Sequence, residues 1–457
     1  MNTERKVMFV CSLCSIAFIA CLIQYNGRSQ IAFSSTQQNK VIPQTINTSA
    51  KLIDPGLKLE VYASGLSGPT NIAFLDSGEI LVLEKNTGLV KKIVNGTIQK
   101  EPLLDENVAT FDTRGMLGIT VTKNATTDKE NVFLYFTEAA NGKGDAQDKC
   151  FEPPRCDPNN LPNGNRLYRY EMSANGSKLI NKKLIFSWPP FTGATHNGGE
   201  MILGPDKNIY LIVGDGEKKT IMSNGKDSII DGRAGILAFD QSGKAAYKDG
   251  IIGSEDPLNK YYAYGIRNGF GLDFDPISGK LWDTENGPGF GDELNLVEPG
   301  FNSGHNAVDG FWERINYSEG KYVKEPDPSK LETFGGKGKY SSPEFAWYKT
   351  VGVSALKFLN TDKYGSRYKD NLLVATIVPN GDIYDFDLSK NRSSLNLPGL
   401  LKDKIVDNYT ELSPVMFGSN FGGISDLSVG PDGYLYVVSF GEGRIYRVVP
   451  TDSKLLT

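Results

Sequence analysis

Apolar residues along most of this chain come in short alternating runs broken by Gly, Pro, Asp and Asn, a pattern of strands joined by tight turns. One unit recurs: an apolar strand, a Pro/Asp/Gly turn, and a second apolar strand. It reads PTNIAFLDSGEILVLEKNTGLVKKI from Pro69, GMLGITVTKNATTDKENVFLYFTEA from Gly115 and GGEMILGPDKNIYLIVGD from Gly198. It returns as GFGLDFDPISGKLWDTENG from Gly269, GVSALKFLNTDKYGSRYKDNLLVAT from Gly352 and GGISDLSVGPDGYLYVVSFGEGRIYRVV from Gly422. Six copies, spaced irregularly by roughly 45 to 85 residues, predict an all-β fold, a six-bladed β-propeller with long inserted loops.

The N-terminus breaks this pattern. Val7 to Ile23 is an uncharged apolar run of 17 residues behind Arg5 and Lys6. It predicts an apolar helix within residues 1–25, a signal peptide or a signal anchor. The basic residues before it place the rest of the chain outside the cell. No Ala-x-Ala cleavage site follows, which favours a retained anchor and a membrane-attached, cell-surface domain. Residues 26–53 are polar with no period and read as a flexible linker. The propeller is expected over 54–452, with a short tail at 453–457.

Composition agrees with strands and turns: 50 glycines, 23 prolines and 11% aromatic residues in 457. The net charge of −5 leaves no basic stripe to displace counterions from phosphates, so nucleic acid is excluded as a partner. Three of the five cysteines lie in the apolar run; the other two, Cys150 and Cys156, bracket FEPPR and read as an extracellular disulfide. Seven Asn-x-Ser/Thr sequons, at Asn47, Asn95, Asn124, Asn175, Asn316, Asn391 and Asn408, suit an exported chain.

Chemistry concentrates just before the repeated strands. THNGGEMILGPDKNIYLIVGD, from Thr195 to Asp215, sets His196, one of only two histidines, against a Gly-Gly turn. An imidazole can accept a proton near neutral pH, and flexible glycines let a ligand come close to it. The same position before the next copy holds Arg267 and Asn268. In a propeller such residues gather at one mouth of the central channel. The plainer alternative is that His196 only hydrogen-bonds a loop.

The blocks HNGGEMILGPDKNIYLIVGD from His196, YGIRNGFGLDFDPISGKLW from Tyr264, TENGPGFGDELNLVEPGFNSGH from Thr284 and PDGYLYVV from Pro431 resemble the soluble glucose/sorbosone dehydrogenases. Members are six-bladed propellers that oxidise sugars with pyrroloquinoline quinone (PQQ) and calcium and pass electrons to an external acceptor. The resemblance spans about Leu59 to Pro450. It implies that His196 is the general base toward a sugar hydroxyl, and that Arg267 and Asn268 touch the quinone oxygens. It also implies that the carbonyls of Gly287 and Pro288 hold calcium. Asp292 and Glu293, in DELN, read equally well as loop-capping carboxylates.

The departures are as informative. Val378 stands where the family places a lysine, and Gly423 and Ser425 where it places arginines, with only Asp426 of that stretch kept. Thr195 replaces an acidic residue, and Thr113 or Arg114 a Gln or Glu. Three lost hydrogen bonds to charged groups, at about 1.5 to 3 kcal/mol each, would weaken an acidic cofactor by about 10³ to 10⁶ in dissociation constant if additive. Arg114 and Lys349 are candidates to restore positive charge. The alternative reading is a non-catalytic propeller that binds glycan or protein.

Overall fold

The computed structural model describes residues 50–123, 129–140, 162–191, 193–378 and 380–451. The apolar segment Val7–Ile23, the linker up to residue 49, Cys150 and Cys156, the sequons at Asn47 and Asn124, and the 453–457 tail lie outside the described residues.

The described chain is strand and turn, with helices limited to short 3-10 segments such as Ile221–Ser223 and Tyr409–Val415. Six sheets of four or more strands follow one another. Sheet I runs Pro69–Phe74, Ile80–Glu84, Leu89–Val94 and Thr97–Ile98, and sheet II runs Met116–Lys123, Glu130–Glu138, Gly164–Met172 and Leu179–Ser187. Sheet III begins Met201–Leu203, Ile209–Val213, Gly235–Phe239 and Tyr261–Tyr264. Sheet IV begins Gly269–Phe274, Leu281–Glu285, Phe290–Val297 and Phe345–Lys349. Sheet V has Val353–Phe358, Leu372–Thr376, Ile383–Phe386 and Met416–Ser419; sheet VI has Ile424–Val429, Leu435–Ser439 and Arg444–Pro450. The first strands of the sheets are neighbours in order, I beside II and so on to VI beside I, so all stand around one axis. The fold is an all-β propeller.

The hydrophobic pattern explains the layering. Each second strand is sandwiched between adjoining sheets and is buried along its length: ILVLE at Ile80–Glu84, IYLIV at Ile209–Val213, LLVAT at Leu372–Thr376 and LYVVS at Leu435–Ser439. Burial on both faces demands continuous apolar runs rather than alternation. Leu179–Ser187, outermost in sheet II, is mostly exposed and carries three lysines and an asparagine in its nine residues or beside them. Each buried Leu, Ile or Val stabilises the interface between sheets by roughly 1.5 to 3 kcal/mol.

The Gly-Pro-Asp turns do the same work in sheets III and VI. Asp206 accepts the backbone N–H of Asn208 and the hydroxyl of Tyr210, and Asp432 accepts the N–H of Tyr434 and the hydroxyl of Tyr436. The aspartate closes the turn, and the tyrosine four residues on ties it to the following strand.

The ring is closed by the N-terminal side of the domain. Leu57–Ser64 completes sheet VI against Arg444–Pro450, with Leu57 opposite Pro450 and Ser64 opposite Arg444. Lys51–Leu52 pairs with Met416–Ser419 at the edge of sheet V. These two residues lie in the stretch expected to be linker; backbone pairing draws them into the fold. A long insertion follows sheet IV's third strand. Its Phe301–Asn302 runs parallel to Tyr261–Tyr264, and it carries the hairpin Trp312–Asn316 and Glu319–Tyr322. This insertion brings His305 and Asp309 beneath the channel mouth.

Candidate functional site

His196 sits in the loop that enters sheet III with φ 59°, a left-handed conformation that costs a non-glycine residue on the order of 1 kcal/mol. Gly198 follows at φ 65°, and a Cβ there would lie 2.6 Å from the carbonyl oxygen of Ile212. Only glycine fits that approach. The turn presents the imidazole to the channel mouth with 12% of its side chain exposed.

Asp215, just past strand Ile209–Val213, holds the ring. Its Oδ1 is 2.6 Å from His196 Nδ1 and also accepts the N–H of Glu217. An ionised carboxylate only accepts, so His196 Nδ1 carries the proton and Nε2 is left as a bare acceptor. Nε2 has no partner among the described residues. Burial, and then the Arg267 charge, push the His196 pKa down; Asp215 and Glu217 oppose them. The ring is neutral at neutral pH.

Arg267 and Asn268 lie between sheets III and IV. The Arg267 N–H donates to Glu285 Oε1 at 2.6 Å, and its Nη1 donates to the carbonyls of Asn286 and Gly287, each at 2.9 Å. Asn268 Oδ1 is buried with no hydrogen-bond partner among the described residues. The Arg267 carbonyl accepts the N–H of Asp215, which ties the histidine's holder to the arginine's strand entry. His196, Arg267, Asn268 and Gly287 thus line one open pocket, walled also by Phe270, Asp292, Val353, Ile377 and Val378.

The glucose/sorbosone dehydrogenase family matches residues 66–447. The chain belongs to this family. Among relatives, the aldose sugar dehydrogenase YliI of Escherichia coli is 26% identical over 284 residues, 60% of this chain and 66% of that protein. The quinoprotein glucose dehydrogenase B of Acinetobacter calcoaceticus is 25% identical over 359 residues, 72% of this chain and 70% of that one. The structure of the apo soluble aldose sugar dehydrogenase of E. coli superposes with a TM-score of 0.64 at 20% identity, covering 86% of this chain and 99% of that one. The PQQ-bound aldose sugar dehydrogenase of Streptomyces coelicolor gives 0.59 at 20% identity, with the same coverage. These two likenesses establish the shared propeller.

Other residues singled out from the family resemblance lie elsewhere. The Arg114 guanidinium is buried and donates to the carbonyls of Phe191 and Gly193, and it does not line the pocket. Burial pushes its pKa down to about 10. Lys349 is exposed at the end of its strand and is not a wall of the pocket either. Neither residue is brought to the pocket wall: one is held by backbone carbonyls, the other faces water. Pro288 is buried but does not line the pocket, whereas Gly287 does. Val378 and Ile377 present hydrocarbon where a family lysine is expected, and the Ser425 hydroxyl donates to the carbonyl of Pro69. Arg267 is the one Lys or Arg among the described residues lining this pocket.

The structure adds groups without a catalytic or ligand-binding role in the sequence-based expectation, and it shows Asp292 in the loop-capping role expected of it. Asp215 closes the strongest motif, yet a Gly-Asp after a strand is common turn chemistry. Glu217 accepts the Thr195 hydroxyl and so returns a carboxylate beside the position where an acidic residue is lost. Asp292 accepts three backbone N–H groups, from Gly287, Val351 and Gly352. His305 contacts Asp215 with one ring nitrogen and Asp309 with the other. Both histidines of the chain therefore meet at one aspartate.

Behind Arg267, Ser303 Oγ lies 2.6 Å from Glu285 Oε2 and 3.0 Å from Glu293 Oε2. A hydroxyl has one proton to donate, so one of these carboxyls must be protonated to complete the pair. Burial drives this, pushing Glu293 up to about 8 and Glu285 well above the carboxylate range. The folded state then holds a proton that the unfolded chain releases near pH 4.5. Stability from this group is full below that pH and is lost as pH rises toward about 8. Denaturation midpoints measured between pH 5 and 8 should fall with rising pH, and Glu293→Gln, which is neutral throughout, should flatten that slope. An unchanged slope in the variant would refute the shared proton.

Proposed function

We propose that this chain is an exported quinoprotein-type oxidoreductase, a six-bladed propeller that oxidises a sugar or related alcohol with PQQ and calcium at the His196 pocket. One observation carries the reading: a neutral imidazole with a free Nε2, fixed by Asp215, lines the same pocket as Arg267 and the unpartnered Asn268 oxygen. The six sheets around one axis support the reading of six blades. The apolar N-terminal run supports export and attachment to a membrane.

The walls fit a flat quinone. Phe270, Val353, Ile377 and Val378 offer apolar surface, and the Nε and Nη2 groups of Arg267 make no hydrogen bond among the described residues. Asn268 Oδ1, a buried polar atom without a partner, marks a place where a ligand completes the hydrogen bonding. Arg267 and Asn268 would hold the quinone edge, and calcium would take the Gly287 carbonyl, which accepts from Arg267 Nη1 in the free protein, together with the neighbouring Pro288 carbonyl behind the pocket wall and oxygens of the ligand and water. No group of three or more His, Cys, Asp or Glu suited to a metal occurs among the described residues, so carbonyl and ligand oxygens must supply most of its shell. Bound there, the quinone supplies the two-electron acceptor for hydride leaving the substrate carbon.

The chain's own residues supply the rest. His196 Nε2 takes the proton from the substrate hydroxyl, and Asp215 keeps the ring in the tautomer that can do so. Arg267, itself buried, places positive charge where negative charge grows in the pocket. Glu217 accepts the hydroxyl of Thr195, a wall of the pocket, and so sets a carboxylate beside its mouth.

Titration of the folded protein with PQQ and calcium should give a saturable, calcium-dependent shift of quinone absorbance, weaker than a site rich in cations would give. An aldose should then reduce an artificial electron acceptor. A folded sample with no shift and no dye reduction across a panel of sugars and alcohols would overturn the proposal. It would favour a non-catalytic propeller that binds glycan or protein, the reading supported by Val378, Ile377 and the single cation among the lining residues.

A further inference from the structure

The second histidine has no role in the function proposed above, yet it is built into the same network. His305 lies in the insertion after sheet IV's third strand, its backbone N–H bonded to the carbonyl of Gly265, and only 3% of its side chain is exposed. Its Nε2 is 3.2 Å from Asp215 Oδ2 and its Nδ1 is 2.7 Å from Asp309 Oδ1. Asp309 Oδ2 in turn accepts from Arg314 Nη2 at 3.2 Å, and that arginine reaches solvent with 28% of its side chain exposed. A line of five groups therefore runs from the pocket to the surface: His196, Asp215, His305, Asp309, Arg314.

The geometry decides the charge of the middle member. Two ionised carboxylates face the two ring nitrogens, and a carboxylate can only accept. Both nitrogens must then donate, which only the imidazolium can do. Asp215 is thus shared by two imidazoles, one per oxygen, but only one of them is a standing cation.

We infer that His305 is a positioning residue, charged at neutral pH, which neutralises Asp215 from behind and so keeps His196 unprotonated and ready to accept a proton. An aspartate bonded to one histidine alone raises that histidine's pKa, because its charge stabilises the imidazolium. With His305 on its other oxygen, Asp215 still fixes the His196 tautomer but exerts less pull on its proton. His305 takes no part in the transfer itself; the proton passes from the hydroxyl oxygen to His196 Nε2. This rests on the reading of His196 as the proton acceptor.

The surroundings agree. Charged groups facing His196 are Asp215, Arg267 and Glu217. Those facing His305 are Asp215 and Asp309, with Arg314 and Arg267 acting on Asp309 from behind and Glu293 beside it. Burial alone would push the His305 pKa down, but Asp309 and Asp215 outweigh it and hold it above the usual imidazole range. Burial likewise pushes Asp215 up, and the two histidines outweigh it and hold it well below the carboxylate range.

Because the chain has two histidines, ¹⁵N-histidine NMR of the full chain resolves each, with His196→Gln assigning the pair. Both ring nitrogens of His305 should carry protons at neutral pH, with any titration lying above the usual imidazole range. In His305→Gln the His196 midpoint should rise by on the order of one unit, as expected for losing a charge several ångströms away at an effective dielectric near 20. The acid limb of kcat/KM for sugar oxidation should move up in pH by the same amount, whereas a merely structural loss lowers activity at every pH. Asp309→Asn keeps the ring but removes its need for a second proton, and His305 should then titrate between pH 5 and 8. An ordinary His305 titration near 6.5 in the unaltered protein, or an unmoved His196 midpoint in both variants, overturns the inference. The NMR readouts need no quinone, so an absence of sugar oxidation refutes the proposed function without touching them.

Discussion

His196→Gln should lower kcat/KM for sugar oxidation by about 10² to 10⁴, the range for removing a positioned general base. Glutamine is close in reach and its amide can donate to Asp215 as the ring does, so the holder keeps a partner and the fold should be largely unaffected. What it lacks is an acceptor that can take a full proton near neutral pH. The quinone absorbance titration should therefore change little while turnover collapses. Asp215→Asn makes the complementary point. Its amide N–H₂ would face His196 Nδ1 and invite the opposite tautomer, with the proton on Nε2 and the lone pair pointing away from substrate. It should cost a comparable factor although His196 is still present. Turnover within threefold of the unaltered protein in both variants would remove His196 from the chemistry.

How much of this could be read beforehand follows from which forces are local. The strands were legible because strands buried on both faces need runs such as IYLIV and LYVVS, and the turns because Gly-Pro-Asp closes them through the aspartate's own hydrogen bonds. The positions of His196, Arg267 and Asn268 were legible because a repeated first strand puts whatever precedes it at one end of the channel. The partners of those residues were not. Asp215 is 19 positions from His196 and His305 is 90 from Asp215, so only the stacking of sheet III against the insertion brings them together. His305 stands at the end of the block TENGPGFGDELNLVEPGFNSGH, whose expected role lies with the Gly287 and Pro288 carbonyls, and its rarity in the chain was the one available hint. The fate of Arg114 and Lys349 turned on burial and direction, which a loop sequence does not encode. Charge alone made them look interchangeable.

Asp292→Ala should be the most damaging substitution for the architecture of the mouth. Its Oδ2 accepts the N–H groups of Val351 and Gly352, at 2.7 and 2.8 Å, and its Oδ1 that of Gly287, at 2.9 Å. One side chain thereby joins the loop that presents Gly287 in sheet IV to the entry of sheet V. Burial raises its pKa to about 6 despite those three donors, a measure of how little water reaches it. Alanine would leave three donors without their acceptor. Bonds to a charged acceptor contribute about 1.5 to 3 kcal/mol each and do not add fully, so the loss should be on the order of 3 to 6 kcal/mol. That is a large part of the 5 to 15 kcal/mol typical of a folded domain. Asp292→Asn separates the bonds. Its carbonyl oxygen can keep Val351 and Gly352, while its amide meets the Gly287 N–H donor to donor. Asparagine should therefore cost roughly half of what alanine does, with its remaining effect centred on the Gly287 loop and on calcium affinity. Denaturant midpoints and calcium titrations of the two variants test this, and equal losses in both would show that the carboxylate acts through charge rather than through its three hydrogen bonds.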